Sequence, residues 1–259
     1  MSLEAGQRQP VMSVHGLTKS FDGVLALDGF DLDVYCGDIV ALIGPNGAGK
    51  TTLFNIITGF LRADSGIVKV GTDNVTDWVP HRMIRCGVAR TFQNLRLIGG
   101  ISALANVQLS FPHQRGEALV KGLTFSPRAT ARQERSNRDE AREILAEVGL
   151  EEKSDDLAAN LSYGQQKLLT MACVLATGAD IYLLDEPVAG VHPKLIETIL
   201  ELVRKLASSG KTVVLIEHNI YAVQEVAARA VFMDAGKKIA EGTPTEVLKD
   251  ERVLEAYLE

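Results

Sequence analysis

Cysteine is scarce: the 259-residue chain has three, Cys36, Cys86 and Cys173, and no C-x-x-C pair. That spacing offers neither a zinc site nor a disulfide framework, and it implies buried or half-buried thiols in a reducing cytoplasm. No run approaches the roughly eighteen apolar residues of a membrane span. The N-terminus lacks a signal-peptide apolar region, so a soluble chain is expected, with residues 1–10 a frayed polar arm. A formal net charge of −6 gives no basic footprint for nucleic acid. Heptads, internal repeats and low-complexity segments are missing too. The single tryptophan, Trp78, lies in a loop-like stretch from Asp73 to Pro80, where packing is its expected role. What is present is 46% hydrophobic content, enough for a large core in one big domain or two coupled lobes.

The chain is organised around Gly44 to Thr52, GPNGAGKTT. An apolar, β-branched run, Ile39 to Ile43, precedes it as a predicted buried strand. Leu53, Phe54, Ile56 and Ile57 follow at helical spacing. Strand, glycine-rich turn and helix is the context in which G-x-x-x-x-G-K-[ST] means phosphate binding. Gly44, Gly47 and Gly49 let the backbone curl so that N–H groups form a nest for anionic oxygens, and the helix start adds positive potential. Lys50 is placed to reach the β- and γ-phosphates, and the Thr51 hydroxyl to take a Mg²⁺ position.

Upstream, Val11 to Val34 reads as antiparallel strands with turns at Asp22-Gly23 and Asp28-Gly29. Phe21 in this region is either core or an aromatic stacking on a nucleotide base. Downstream, Ile67 to Val70 and Val88 to Phe92 read as strands, the latter ending at Gln93. Ser102 to Leu109 reads as helical, Ser110 to Arg138 as the least regular part, and Ala141 to Val148 as a helix stopped by Gly149. Arg128, Arg132, Arg135, Arg138 and Arg142, offset by acids, form either a solvated helix face or a contact for anionic lipid headgroups. Ser162 is a natural N-cap for the helix that follows.

Ile181 to Leu184 is an apolar strand ending in Asp185-Glu186, and Thr212 to Ile216 one ending in Glu217-His218. Helices lie between and after these strands, with a hairpin at Asp234 to Lys237. The alternation implies an α/β fold with a mainly parallel sheet covered on both faces. The phosphate loop, Asp185-Glu186, His218 and Gln93 then meet at one sheet edge, as a shared ligand demands. Phosphoryl transfer needs charge neutralisation, a metal and an oriented nucleophile. Lys50 neutralises, Thr51 and Asp185 organise Mg²⁺, Glu186 polarises a water, and His218 contacts the γ-phosphate.

These motifs identify what the phosphate loop alone does not. From about Val11 onward the chain resembles the ATP-binding subunit of ABC transporters: a P-loop NTPase core with an N-terminal antiparallel β-subdomain and an inserted helical subdomain. Gly44 to Thr52 matches Walker A, LSYGQQ at Leu161 to Gln166 the signature motif, and Ile181 to Glu186 Walker B with the catalytic glutamate. Gln93 stands at the Q-loop glutamine and His218 at the switch histidine. The resemblance implies catalytic roles for Glu186, His218 and Gln93. It implies ATP contacts from Phe21, Gly44, Pro45, Asn46, Gly47, Ala48, Gly49, Lys50, Thr51, Thr52, Ser162, Gly164 and Gln165, and Mg²⁺ held through Thr51, Gln93 and Asp185. The implied division is a core of 11–94 and 178–235, a helical signature subdomain of 95–177, and a C-terminal hairpin with helices at 236–259.

In that family two subunits, identical or paralogous, close face to face, each ATP lying between one Walker A loop and the other subunit's signature motif. The implied partners are that second ATPase, integral permease subunits and, indirectly, a periplasmic or extracellular substrate-binding protein. The implied place is the cytoplasmic face of the cell membrane. RTFQN at Arg90 to Asn94, the long insert before Leu150, EPVAG at Glu186 to Gly190 and the ending EGTPTEVLKD…VLEAYLE are closest to importers of branched-chain amino acids. Urea uptake and lipopolysaccharide export are the related alternatives, and a soluble ABC ATPase of DNA repair or translation is a further one. One position departs from the family: His192 stands where the D-loop carries Asp, either as a neutral replacement or as a pH-sensitive contact.

Overall fold

The computed structural model describes residues 9–93, 95–112 and 127–256, with side chains of the 127–147 helix described from 132. These fall into two compact units. The first draws on Met1–Arg90, Asp180–Ala189 and Leu200–Glu259, the second on Thr91–Ala179 and Gly190–Ile199. The expected N-terminal arm, Asn94 and the end of the C-terminal motif lie wholly or partly outside the described residues.

The first unit holds two sheets. Strands β1 (Met12–Phe21), β2 (Val24–Val34), β4 (Ser65–Val70) and β5 (Asp73–Asn74) pair antiparallel in the order β2-β1-β4-β5. Asp22 and Gly23, both at positive φ, make the tight turn between β1 and β2 that the sequence signals. Asp28-Gly29 is not a turn. It lies inside β2, where the register jumps from Leu17↔Phe30 to Lys19↔Leu27. Leu27 and Phe30 are both fully buried, although strict alternation puts residues three apart on opposite faces. The irregularity at Asp28-Gly29 corrects the phase and turns both inward.

The second sheet is β10-β9-β3-β8-β7-β6, made of β3 (Ile39–Ile43), β6 (Val88–Arg90), β7 (Ile181–Asp185), β8 (Thr212–Ile216), β9 (Arg229–Asp234) and β10 (Lys237–Gly242). The pairs from β9 to β6 are parallel and β10 runs antiparallel to β9. Every position of β3, β7 and β8 is buried, as continuous apolar runs require when a sheet is covered on both faces. The expected strand to Phe92 stops at Arg90, because the pairing of β6 with β7 ends there. Helices α1 (Lys50–Ile57) and α2 (Pro80–Arg85) belong to this unit, and Leu53, Phe54, Ile56 and Ile57 of α1 join its main core cluster.

The second unit carries α3 (Ala103–Ser110), α4 (Pro127–Glu147) and α5 (Tyr163–Leu175). Ser102 caps α3, its Oγ accepting from the Ala105 N–H at 3.1 Å. The expectation of irregular chain to Arg138 is corrected: α4 starts at Pro127. Proline suits the first helical position, and the Ala, Arg, Gln and Glu that follow are good helix formers. Residues 113–126, with Gly116 and Gly122, lie outside the described part. Ala141, Leu145 and Val148 are buried, and Gly149 at φ 73° ends the run.

The remaining helices are α6 (Pro193–Ser208), α7 (Ile220–Val226), α8 (Pro244–Val247) and α9 (Glu251–Ala256). Among the described residues no helix is long and apolar enough to cross a membrane. The three cysteines are free thiols. Cys36 is exposed, against the expectation of burial, because it sits in the turn between β2 and β3. Burial pushes the Cys173 thiol up to about 11.

Candidate functional site

The loop after β3 is built by close approach of backbones. A Cβ on Gly44 (φ 145°) would lie 2.0 Å from the Met233 carbonyl oxygen, and one on Gly49 (φ 100°) 2.2 Å from that of Ala26. Only glycine fits either place. The turn after β9 braces the loop: the Gly236 N–H donates to the Ala48 carbonyl at 3.1 Å, and the Asp28 N–H to that of Gly236 at 3.0 Å. Helix α1 opens at Lys50, so its first N–H groups adjoin the loop. The Lys50 ammonium is buried and donates to the carbonyls of Gly44 and Pro45, both at 2.8 Å. Burial lowers its pKa, while Glu186 and Asp185 pull it back up. Thr51 is exposed on the first turn of α1, with Thr52 half-buried beside it. Asn46 and Gly47 are exposed at the loop's tip.

Asp185 ends β7 at 2% exposure, and an Arg90 guanidinium nitrogen donates to its Oδ2 at 2.9 Å. The same guanidinium donates to Asn55 Oδ1 at 2.7 Å and lies over the Phe54 ring, 5.4 Å from its centroid. Arg90 therefore joins β6 and β7 to the helix that carries the phosphate loop. Glu186 follows at φ 48°, a left-handed conformation rare for a residue with a side chain. Its N–H donates to the Ile216 carbonyl at 2.9 Å, and its Oε1 faces His218 Nε2 at 3.5 Å. Burial lowers the His218 pKa, Lys50 lowers it further, and Glu186 opposes both. The imidazole is thus neutral at neutral pH and able to donate one hydrogen bond. Glu217, beside it, is buried, with a carboxyl pushed up chiefly by that burial.

Within the first unit, then, the fold brings together Lys50, Asp185, Glu186 and His218. Phe21, at the end of β1, is 46% exposed, which removes its core reading, and Lys19 Nζ lies 5.5 Å from its ring centroid. Gln93, Ser162, Gly164, Gln165 and His192 belong to the second unit. Gln93 is exposed shortly after β6. Ser162 Oγ accepts from the Gln165 N–H at 3.4 Å, and Gln165 Oε1 accepts from the Ser162 N–H at 2.9 Å. That capping box gives Gln165 a local structural partner in addition to the nucleotide role the motif implies. A Cβ on Gly164 would lie 2.7 Å from the Leu195 side chain, so the glycine admits close packing there. His192 Nδ1 accepts from the Lys194 N–H at 3.3 Å at the start of α6.

Arg132, Arg135, Arg138 and Arg142 are exposed, while the side chain of Arg128 is outside the described residues. Trp78 packs against the core cluster with Arg82 over its ring at 4.7 Å. The sequence reading gave no role to Arg90 or Glu217. A charged residue closing or following a buried strand at the ligand edge is the signal that finds both.

Comparisons place these features among known proteins. The family model described as "ABC transporter" matches residues 27–189, and "Branched-chain amino acid ATP-binding cassette transporter" matches residues 237–258. The high-affinity branched-chain amino acid transport ATP-binding protein BraF of Pseudomonas aeruginosa is 38% identical over 251 residues, covering 96% of this chain and 98% of that protein. A nucleotide-free ATP-binding cassette from an ABC transporter superposes with a TM-score of 0.84 at 33% identity, over 97% of this chain and 100% of the other. A dimeric cassette in a post-hydrolysis state with ADP and Pi gives 0.77 at 26% identity, over 90% and 98%.

Proposed function

The chain belongs to the ABC transporter ATP-binding family, in its branched-chain amino acid group, and on that premise we propose that it powers an importer of branched-chain amino acids by hydrolysing ATP. The observation that carries the chemistry is the meeting of Lys50, Asp185, Glu186 and His218 at the carboxyl edge of the parallel strands of one mostly parallel sheet, with His218 3.5 Å from Glu186. In this reading the loop N–H groups and Lys50 hold the β- and γ-phosphates, and Phe21 stacks on the base. Glu186 orients and polarises the attacking water, and neutral His218 donates to the γ-phosphate. The hydroxyl of Thr51, the Asp185 carboxylate and the Gln93 amide are hard oxygen donors, the kind that suits Mg²⁺. Held by Thr51 and Asp185, Mg²⁺ would supply charge neutralisation at the β- and γ-phosphates.

The dimeric relative supports a second part of the reading. Two ATPase subunits, identical or paralogous, enclose each nucleotide between the phosphate loop of one and Ser162-Gly164 of the other. Ser162→Arg places bulk and charge where the partner's γ-phosphate belongs. ATP binding should survive and hydrolysis should fall to background, with about 1 kcal/mol of stability lost from the missing N-cap. Normal turnover in a malachite-green phosphate assay would remove the shared site.

The remaining partners are integral permease subunits, and through them a substrate-binding protein outside the membrane, which puts this chain on the cytoplasmic face. Among the described residues no helix is long and apolar enough to cross a membrane, and in this reading the permease subunits hold the chain at the membrane. The tagged chain should sediment with membranes and, after detergent extraction, co-purify with a polytopic protein. Recovery wholly in the soluble fraction from cells that express its permease partners would contradict the importer reading.

A further inference from the structure

Glu217 follows β8, whose five positions are all buried, and is itself 2% exposed. A carboxylate in such a place must be met by donors. Three backbone N–H groups meet it. Its Oε1 accepts from Val188 at 2.9 Å, and its Oε2 from His218 at 3.2 Å and Asn219 at 3.4 Å. Val188 lies two residues beyond Glu186 on the turn after β7, whereas His218 and Asn219 open the turn after β8. One side chain thus links the two turns that carry the water-activating acid and the phosphate-sensing histidine.

Glu186 needs that link. Its positive φ costs about 1–3 kcal/mol and persists only where the surroundings over-determine it. One anchor precedes the turn, the Glu186 N–H to the Ile216 carbonyl at 2.9 Å. The other is Val188 on Glu217. We propose that Glu217 is a positioning residue of the hydrolytic site: its buried carboxylate clamps the Glu186 turn to the His218 turn and sets the geometry between those two side chains. The inference rests on the ATPase reading above and adds to it a residue that touches no substrate.

The electrostatics favour geometry over stability as the reason for a carboxylate here. Burial, the largest effect, and the nearby charge of Glu186 both raise the Glu217 pKa, with the three N–H groups opposing. A raised carboxyl pKa means that stability present below the ordinary carboxylate range is lost as pH climbs through the raised value. At neutral pH the charge therefore burdens the fold. A neutral amide relieves that burden, yet it cannot accept on both sides: whichever way it is turned, its NH₂ confronts an N–H of one turn.

Purified full-length protein carrying Glu217→Gln tests the clamp by separating turnover from folding. The expected result is a kcat lowered about tenfold, with KM and affinity for a fluorescent ATP analogue within about twofold of the parent. The thermal midpoint at neutral pH should not fall. Glu217→Ala, which removes both sides of the clamp, should lose at least as much kcat and also melt earlier. A Glu217→Gln protein with turnover within about twofold of the parent overturns the clamp. So does one in which turnover, affinity and midpoint fall together, since that is the behaviour of a merely structural residue. The parent is assayed alongside: if it fails to hydrolyse ATP, the ATPase reading falls, and the clamp with it.

Discussion

Glu186→Gln is expected to bind ATP normally and to hydrolyse it about 10²–10⁴-fold more slowly, the span that a general base contributes. Glutamine has nearly the shape of glutamate, and neither anchor of the turn, the residue-186 N–H on the Ile216 carbonyl or the Val188 N–H on Glu217, uses the replaced side chain. The φ of 48° is therefore kept, and the change is confined to the carboxylate proposed as the base. Two neighbours respond to the missing charge. Glu186 is the largest influence raising the Lys50 pKa against burial, and it also raises that of His218. Both pKa values should drop in the variant, and the histidine becomes more firmly neutral. With hydrolysis blocked and the γ-phosphate retained, the ATP-loaded protein should accumulate as a dimer by size-exclusion chromatography. Turnover within about tenfold of the parent would take the base assignment from Glu186, and a monomer under saturating ATP would count against the enclosed-nucleotide dimer.

Much of this site was legible because its parts are local. The phosphate loop declares itself in nine consecutive residues, and each glycine that matters is needed where it stands: Gly44 and Gly49 admit backbones that a Cβ would strike. The fully buried strands β3, β7 and β8 read as apolar runs, and the acids and histidine at their tips follow at once. What escaped was non-local. Arg90 and Asp185 are 95 positions apart and become partners only once β6 lies beside β7. Glu217 was visible as a polar tip, but nothing in the neighbouring residues says that its carboxylate turns inward to Val188. Asp28-Gly29 has the composition of a turn, and only the burial of both Leu27 and Phe30 makes it an irregularity inside a strand. Helix α4 lacks an apolar stripe in its first turns, so periodicity found its end and missed its start.

Arg90 supports the second large effect. Its side chain is 4% exposed and that of Asp185 2%, at 2.9 Å, so this is an ion pair deep in the unit rather than a surface contact. Removing one partner of such a pair strands the other charge, at about 3–5 kcal/mol. Arg90→Met keeps an apolar body of similar length against Phe54 and gives up the guanidinium bonds to Asn55 and Asp185, so urea denaturation should register a loss of that size. The double variant Arg90→Met, Asp185→Leu separates the fold from the chemistry. Replacing both members with apolar groups commonly restores stability or exceeds it by about 1–4 kcal/mol. The double variant should therefore regain most of the stability the single one lost, while hydrolysis should be absent if Asp185 has the role proposed for it. A double variant no more stable than Arg90→Met would mean that the pair is not the source of the loss. A double variant that still hydrolysed ATP would remove Asp185 from the reaction. The pair thus ties the sheet's outermost parallel strand to the acid at the tip of β7 and, through Asn55, to the helix that follows the glycine-rich loop.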